Sequence, residues 1–251
     1  MELPVTTEYD LTRYARQIML FGEDGQQRLK TARLLVAGVG GLGSPLCTYL
    51  AVAGIGHLRL VDFDKIELSN LNRQILHWDK DLDRLKIESA QEKLRQINPS
   101  IEIEVFPDRI DRSNVASLVG EADGIVDCMD NFATRYILNR IAIRNRIPFF
   151  HAAISGLEAR VSTFVPGETA CLRCLFPDVP PPSGAFPVLG ATPGVAATIQ
   201  AMEVIKYFSG YGKPLKDRML VFDGEEASFL ELKIHRDPGC PDCAESHGRA
   251  G

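Results

Sequence analysis

The chain has 251 residues, enough for one large domain or two small ones, and its 45% hydrophobic content is that of a globular protein with a full core. It carries 28 basic and 33 acidic residues, net −5, with no basic run, which argues against nucleic acid as the main partner. No stretch is long and apolar enough to span a membrane, and Met1-Glu2-Leu3-Pro4 lacks a signal-peptide pattern, so the expected location is the cytoplasm.

Residues 11–20 place Leu11, Tyr14, Ala15 and Ile18 at helical spacing. Arg13 and Arg16 fall three apart, on one side of that helix, where a solvated basic face is the plain reading. The next stretch sets up a site. Leu34-Leu35-Val36-Ala37 runs into Gly38-Val39-Gly40-Gly41-Leu42-Gly43 and on into Ser44-Pro45-Leu46-Cys47, which reads as strand, tight turn and helix. Gly38, Gly40 and Gly43 have G-x-G-x-x-G spacing, with Gly41 a further small residue inside it. Such glycines let the backbone turn sharply, let phosphate oxygens approach and let the helix pack on the strand. The helix N-terminus adds free N–H groups and the positive end of its dipole. Residues 58–61 form a second apolar run ending in Asp62, where units of this kind place the acid that holds ribose hydroxyls. A glycine-rich structural turn is the bland alternative.

Residues 69–74 are polar and irregular, residues 86–97 read as a helix stopped by Asn98-Pro99, and Ile101, Ile103 and Val105 alternate with glutamates as a strand. Ser113 is expected to cap a short helix through Leu118. Residues 124–128 read as a buried strand, 132–145 as a helix and 148–153 as the start of the next strand. The alternation predicts a parallel sheet covered on both faces, with ligands outside the carboxyl ends of its strands. The glycine loop, Asp62 and Asp130 fall at those ends.

The second half differs. Residues 158–164 read as a strand, 195–208 as a helix, and 220–224 with 229–234 as strand, turn and strand. Residues 177–193 carry six prolines and are expected to be a mobile crossing segment, neither helix nor inner strand. Cys171-Leu172-Arg173-Cys174 and Cys240-Pro241-Asp242-Cys243 are two C-x-x-C pairs. Each presents two sulfurs from one turn, and tetrahedral zinc takes two such pairs. Four thiolates leave no position open for water, so the expected site is a structural clip holding the tail to the core. A redox C-x-x-C is the competing reading.

Asn70, Arg73, Lys86 and Asp130 are polar groups near predicted turns around the glycine loop. Singly, Arg73 and Lys86 read as surface charges and Asp130 as a helix cap. Together they make a phosphate kit, with cations for the outer phosphates and a carboxylate for magnesium.

At this point the chain resembles the MoeB/ThiF/HesA family, relatives of the ubiquitin-activating enzymes. The matching stretches are Arg13-Tyr14-Ala15-Arg16-Gln17, the glycine loop, Asp62-Phe63-Asp64, Leu68-Ser69-Asn70-Leu71-Asn72-Arg73-Gln74, Asp127-Cys128-Met129-Asp130-Asn131 and both C-x-x-C pairs. The resemblance runs from about Leu11 to Cys243 and is nearest to adenylyltransferases acting on sulfur carriers of molybdopterin or thiamine synthesis. It implies an α/β, Rossmann-like, doubly wound sheet, mainly parallel, extended by C-terminal antiparallel strands and a structural zinc site. One adenylation domain would fill residues 1–251, with a nucleotide half to about 155 and a zinc and carrier-docking half from about 156.

The implied reaction is adenylation, by ATP and magnesium, of the terminal carboxylate of a ubiquitin-like sulfur-carrier protein ending in Gly-Gly. Carried over by position, Gly38, Gly40, Gly41, Gly43, Ser69 and Asn131 line the nucleotide, and Gly41 lies against the phosphates. Asp62 holds the ribose. Asn70, Arg73 and Lys86 bind phosphate, and Asp130 binds magnesium. Arg16 corresponds to an arginine finger reaching the ATP of the other subunit of a homodimer.

Two departures stand out. Asp83 replaces a glycine that relatives usually have three residues before the lysine matching Lys86, so the lysine loop is expected to sit differently. Residues 175–193 contain no cysteine, where relatives that form a thioester or acyl disulfide place one. The acyl group is therefore expected to pass to a separate sulfur donor protein. The rival readings are an NAD-dependent oxidoreductase, which leaves Arg16, Arg73, Lys86 and the cysteine pairs unexplained, and a non-catalytic scaffold for a ubiquitin-like partner, against which the phosphate kit argues.

Overall fold

The computed structural model describes residues 7–178 and 187–244. The described chain runs α1 (Glu8–Arg13), α2 (Ala15–Thr31), β1 (Arg33–Ala37), α3 (Gly43–Ala53), β2 (His57–Val61), α4 (Lys86–Ile97), β3 (Glu102–Phe106), α5 (Val115–Val119) and β4 (Gly124–Asp127). It continues through α6 (Phe132–Asn145), β5 (Phe149–Ser155), β6 (Glu158–Phe164), α7 (Leu172–Leu175), α8 (Ala191–Ser209), β7 (Arg218–Asp223) and β8 (Ser228–Lys233). The strands make one sheet in the order β3-β2-β1-β4-β5-β6-β7-β8. From β3 to β5 neighbours are parallel, and from β5 to β8 they are antiparallel.

The sheet is covered on both faces because its inner strands are apolar on both. Leu34 and Val36 of β1 join the core under α2, α3, α4 and α8, while Leu35 and Ala37 join the core under α5 and α6. This is the period of two expected of a strand, and both sides of β1 are fully buried. Burying each such leucine contributes about 1.5–3 kcal/mol.

The register sets Val36 between Leu60 of β2 and Val126 of β4. The chain goes from β1 to β2 on one side and returns to β4 on the other. The crevice beyond the carboxyl ends of β1, β2 and β4 is thus the point at which strand order reverses, where open α/β sheets bind ligands.

Four local expectations need correction. Residues 11–20 are not one helix. Thr7 and Asp10 form a capping box that starts α1 earlier, and the chain breaks at Tyr14 (φ −101°, ψ 11°) before α2. Tyr14 is buried, and its hydroxyl accepts from Asn98 Nδ2 at 2.8 Å. Arg13 therefore does not share a helix with Arg16, and it donates to the Ile97 carbonyl at 2.5 Å. Gly22 (φ 70°, ψ 175°) breaks α2 again.

Ser113 does not cap α5. Asp111 accepts from the N–H groups of Ser113 and Asn114 at 2.7 and 3.1 Å. Nor does Asp130 cap α6, because Asn131 accepts from the Thr134 N–H at 2.9 Å. Finally, α8 begins at Ala191 rather than Val195, so the end of the 177–193 segment is helical. Pro193 fits there because the first turn of a helix has no use for its missing N–H. Just before it, Val188 bridges Gly156. Residues 179–186, the middle of the expected mobile segment, lie outside the described residues.

Candidate active site

Backbone geometry makes the glycine loop compact. Gly38 has φ +94°, and a Cβ there would meet the Cys128 carbonyl oxygen at 2.8 Å. A Cβ on Gly43 would sit 2.1 Å from the Gly38 carbonyl oxygen, so the first turn of α3 folds directly over the end of β1. Gly40 and Gly41 are half-buried, and neither N–H has a backbone acceptor among the described residues. At Gly41 a Cβ would stand 3.5 Å from Arg73 Cγ, which puts the arginine stem beside the loop.

Asp62 closes the loop from β2. Its carboxylate accepts from the Val39 N–H and from the Asp64 N–H, each at 2.9 Å. Burial pushes its carboxyl up, and the nearby Lys86 charge opposes the shift. Lys86, buried at the start of α4, reaches Asp64 at 2.8 Å.

Ahead of Lys86, Asp83 takes the left-handed conformation at φ +66° and donates its N–H to Ile66. That backbone state explains why a glycine suits the position, and aspartate is among the few other residues that tolerate it. The loop still returns the Lys86 N–H to the Asp64 carbonyl at 3.0 Å.

The 68–74 segment is a short 3₁₀ turn over Leu68–Asn70 followed by bends. Buried Asn70 accepts from the Glu67 N–H at 3.2 Å, exposed Ser69 leans on Glu67, and Arg73 donates to the Ser69 carbonyl at 2.9 Å. At the end of β4, Asp130 is exposed and receives Asn131 Nδ2 at 3.3 Å.

The structure brings Arg73 beside the glycine loop and links Asp62 to Val39 and Lys86 to Asp64, while Asp130 and Asn131 stand in the turn after β4 and Ser69 and Asn70 in the turn before Arg73. It does not gather Arg16. Gln17, next to Arg16, donates to the Ala53 carbonyl at 2.7 Å, at the far end of α3 from the glycine loop. The 11 residues of α3 separate those ends by about 15 Å. Arg16 is exposed there.

Other buried polar groups near the glycine loop and the β4 turn were given no role by the sequence pattern. Asp127, wholly buried, pairs with His151 Nδ1 at 2.7 Å and Arg135 Nε at 3.2 Å, and accepts from the Met129 N–H at 3.0 Å. Arg135 also donates to the Met129 carbonyl, so this group clamps the turn that presents Asp130. Gln200 of α8 donates to the Asp127 carbonyl at 2.9 Å. A second buried group contains His77, Asp81, Ser89 and Lys93. Asp127 has one available signal, a charge ending an apolar strand. The rest are brought together by tertiary contact alone.

The four paired cysteines converge. Sγ atoms lie 3.7 Å apart for Cys171 and Cys240, 3.4 Å for Cys174 and Cys243, and 3.9 Å for Cys171 and Cys174. All four sit within 4.8 Å of one another. A tetrahedron of Zn–S bonds of about 2.3 Å has edges of about 3.8 Å, so the cluster fits zinc. These separations are far from the S–S bond of about 2.05 Å that a disulfide needs. Asp242 ties the tail to α6 through Arg140 at 2.9 Å and Asn139 at 3.2 Å.

Among the described residues no helix is long and apolar enough to cross a membrane. A doubly wound sheet with a glycine loop at its switch point and a cation beside it defines a protein of the nucleotide-binding class. The ThiF family model matches residues 14–242, and the chain belongs to that family. It is similar to the heterocyst protein HesA of Trichormus variabilis, with 43% identity over 94% of this chain and 90% of that one. It is also similar to a sulfur carrier protein adenylyltransferase of Thermus thermophilus, with 40% identity over 95% of this chain and 93% of that one. Among solved structures, E. coli MccB with ATP superposes with a TM-score of 0.81 and 27% identity, over 96% of this chain and 77% of MccB.

Proposed function

We propose that the chain binds ATP at the glycine loop and adenylates the C-terminal carboxylate of a small ubiquitin-like sulfur carrier ending in Gly-Gly, of the kind that serves molybdopterin or thiamine synthesis. What supports this reading is the loop itself: the Gly40 and Gly41 N–H groups have no backbone acceptor among the described residues, Arg73 packs beside Gly41, and Asp62 and the Lys86–Asp64 pair stand at the end of β2. A nucleotide, a polyanion attached to a ribose, would use all of these. The relative from Thermus and the ATP in the MccB structure support the same assignment.

In the proposed reaction a carrier carboxylate oxygen attacks the α-phosphorus. The bond from that phosphorus to the bridging oxygen breaks, and pyrophosphate leaves with the electron pair. Two anions must meet, so the chain's task is charge neutralisation and in-line placement. Arg73, Lys86, Asn70 and the Gly40 and Gly41 N–H groups bind phosphate oxygens, with Gly38 and Gly43 shaping the loop. Asp62 orients the ribose beside Ser69. Asp130, presented by the turn that Asn131 closes, holds magnesium, which supplies further neutralisation of the phosphates when bound. Zinc on Cys171, Cys174, Cys240 and Cys243 supplies a structural cross-link when bound. Residues 1–155 carry the nucleotide half and residues 156–251 the zinc and carrier-docking half of one adenylation domain.

Arg16 serves the site of a second subunit. It stands at the wrong end of α3 for its own site, and exposed Tyr49 and Val52 on α3, with Met202 on α8, offer an apolar face for a homodimer.

The test is ATP–pyrophosphate exchange with Gly-Gly-ended carriers presented one at a time. Exchange that depends on one carrier and is lost when its terminal glycine is removed supports the reading. Tight NAD binding without carrier-dependent exchange would replace it with the oxidoreductase reading.

A further inference from the structure

Val39 is tied through both of its backbone polar groups. Its N–H donates to Asp62, and its carbonyl accepts from His77 Nε2 at 3.0 Å and Ser44 Oγ at 3.2 Å. A carbonyl can only accept, so His77 carries its proton on Nε2. In the neutral ring Nδ1 is then an acceptor, and the Ser89 hydroxyl lies 3.1 Å away, within reach to donate to it. Ser89 Oγ in turn accepts from the Lys93 ammonium at 2.7 Å. Lys93 also pairs with Asp81, which receives the Trp78 N–H at 3.0 Å and Arg84 Nη1 at 2.9 Å. Burial, aided by the Lys93 and Lys86 charges and opposed by the hydrogen bond to Val39 and by Asp81, holds the imidazole at about 4, so it is neutral at physiological pH.

In a trans peptide the C=O and the following N–H point in opposite directions. Drawing the Val39 carbonyl inward therefore turns the Gly40 N–H outward, toward the mouth of the loop. A glycine-rich loop does not fix this choice alone, because glycine accepts either orientation of the preceding peptide at little steric cost.

We propose that His77, aligned by Ser89 and the Lys93–Asp81 pair, is a positioning residue that sets the Val39–Gly40 peptide so that the Gly40 N–H is presented to the phosphates of the nucleotide. The proposal rests on the ATP reading of the crevice and deepens it. His77 itself never touches the nucleotide.

The test uses the full chain and two ligands, ATP and adenosine, with affinities measured by calorimetry. His77→Ala should weaken ATP by about tenfold, the loss of one charge-assisted hydrogen bond, and leave adenosine within about twofold. His77→Gln, which keeps a donor for the Val39 carbonyl, should recover most of the ATP affinity. Equal weakening of both ligands marks a merely structural residue and overturns the proposal, as does no weakening of either. Failure of the unaltered chain to bind ATP overturns the ATP reading and this proposal with it. If His77→Ala does not fold, nitrogen NMR of the unaltered chain decides: a neutral, Nε2-protonated ring from pH 5.5 to 8 is expected, and a ring protonated on Nδ1, or titrating near 6.5, refutes the proposal.

Discussion

Lys86 and Asp64 illustrate how this site stores charge. The ammonium is buried yet held at 2.8 Å by an exposed carboxylate, so it stands near Asp62 already paired. Residues of this kind were legible in the sequence because their neighbours are local. The glycines, Asp62, Asn70 and Arg73 sit in short contiguous stretches whose turn chemistry sets their direction. His77 and the Asp127–His151 pair were not legible, since Ser89, Val39 and Arg135 become their partners only through packing. Burial of His77 has a measurable consequence. Its folded pKa of about 4 lies below the ordinary 6.5, so the unfolded chain binds more protons between those values. The contribution to stability is therefore fully present above pH 6.5 and is lost as pH falls toward 4, by on the order of 3 kcal/mol. His151, also pushed down by burial, adds the same sign. The quantity to measure is the difference between the unaltered chain and His77→Gln in urea midpoint at pH 4.5 and 7.5. The variant should lose less stability on acidification, and parallel curves would show that His77 is not neutralised by folding.

At the scale of elements, β1, its loop and α3 were readable almost to the residue, because apolar run, glycines and helix follow without interruption. The α4 and α6 boundaries were equally plain, the first set by Asn98-Pro99, although the cap of α6 is Asn131 and not Asp130 as the sequence suggested. Reading failed where distant contacts intervene. Tyr14 interrupts a helical pattern to reach Asn98, 84 residues away, and Pro193 disguised the first turn of α8. The Asp83 loop yields a sharper prediction. A β-branched residue at φ +66° costs about 1–2 kcal/mol, whereas glycine adopts it freely. Asp83→Val should therefore lower thermal stability and raise the KM for ATP by displacing Lys86, while Asp83→Gly should match the unaltered chain in both. Equal behaviour of the two variants would remove the backbone from the explanation.

Over the whole molecule, the cysteine cluster joins residues 69 apart and so closes α8, β7 and β8 into one loop. We expect one zinc per chain. Cys240→Ser should drop thermal stability by several degrees while changing the rate of adenylation much less, and a chain purified without chelator that contains no zinc would end the idea. The two other thiols are poor nucleophiles. Burial pushes Cys47 up to about 12, and burial with help from Cys47 and Asp127 holds Cys128 well above the ordinary thiol range. Catalysis should then stop at the acyl adenylate, awaiting a sulfur donor on another protein. Intact mass analysis of chain, ATP, magnesium and carrier should show no thiol-sensitive adduct, and one that disappears in Cys128→Ser would contradict this. The trans role of Arg16 is open to complementation. Mixed Arg16→Ala and Asp130→Ala chains should regain part of the activity, since some mixed dimers hold one site intact, and no regain despite proven subunit exchange would place the arginine elsewhere.

The order of strands also governs how the molecule is made. β1 lies between β2 and β4, pairing Leu34 with Leu58 on one side and with Gly124 on the other. During synthesis at about 5–20 residues per second, β4 leaves the ribosome on the order of ten seconds after β1. Through that interval the nascent chain carries an unpaired strand edge and half-covered leucines, the features that recruit chaperones or seed aggregates. A fragment ending at residue 121 should accordingly precipitate when expressed alone, and the glycine loop, which leans on the Cys128 carbonyl, takes its final shape only when the second half of the nucleotide fold has arrived.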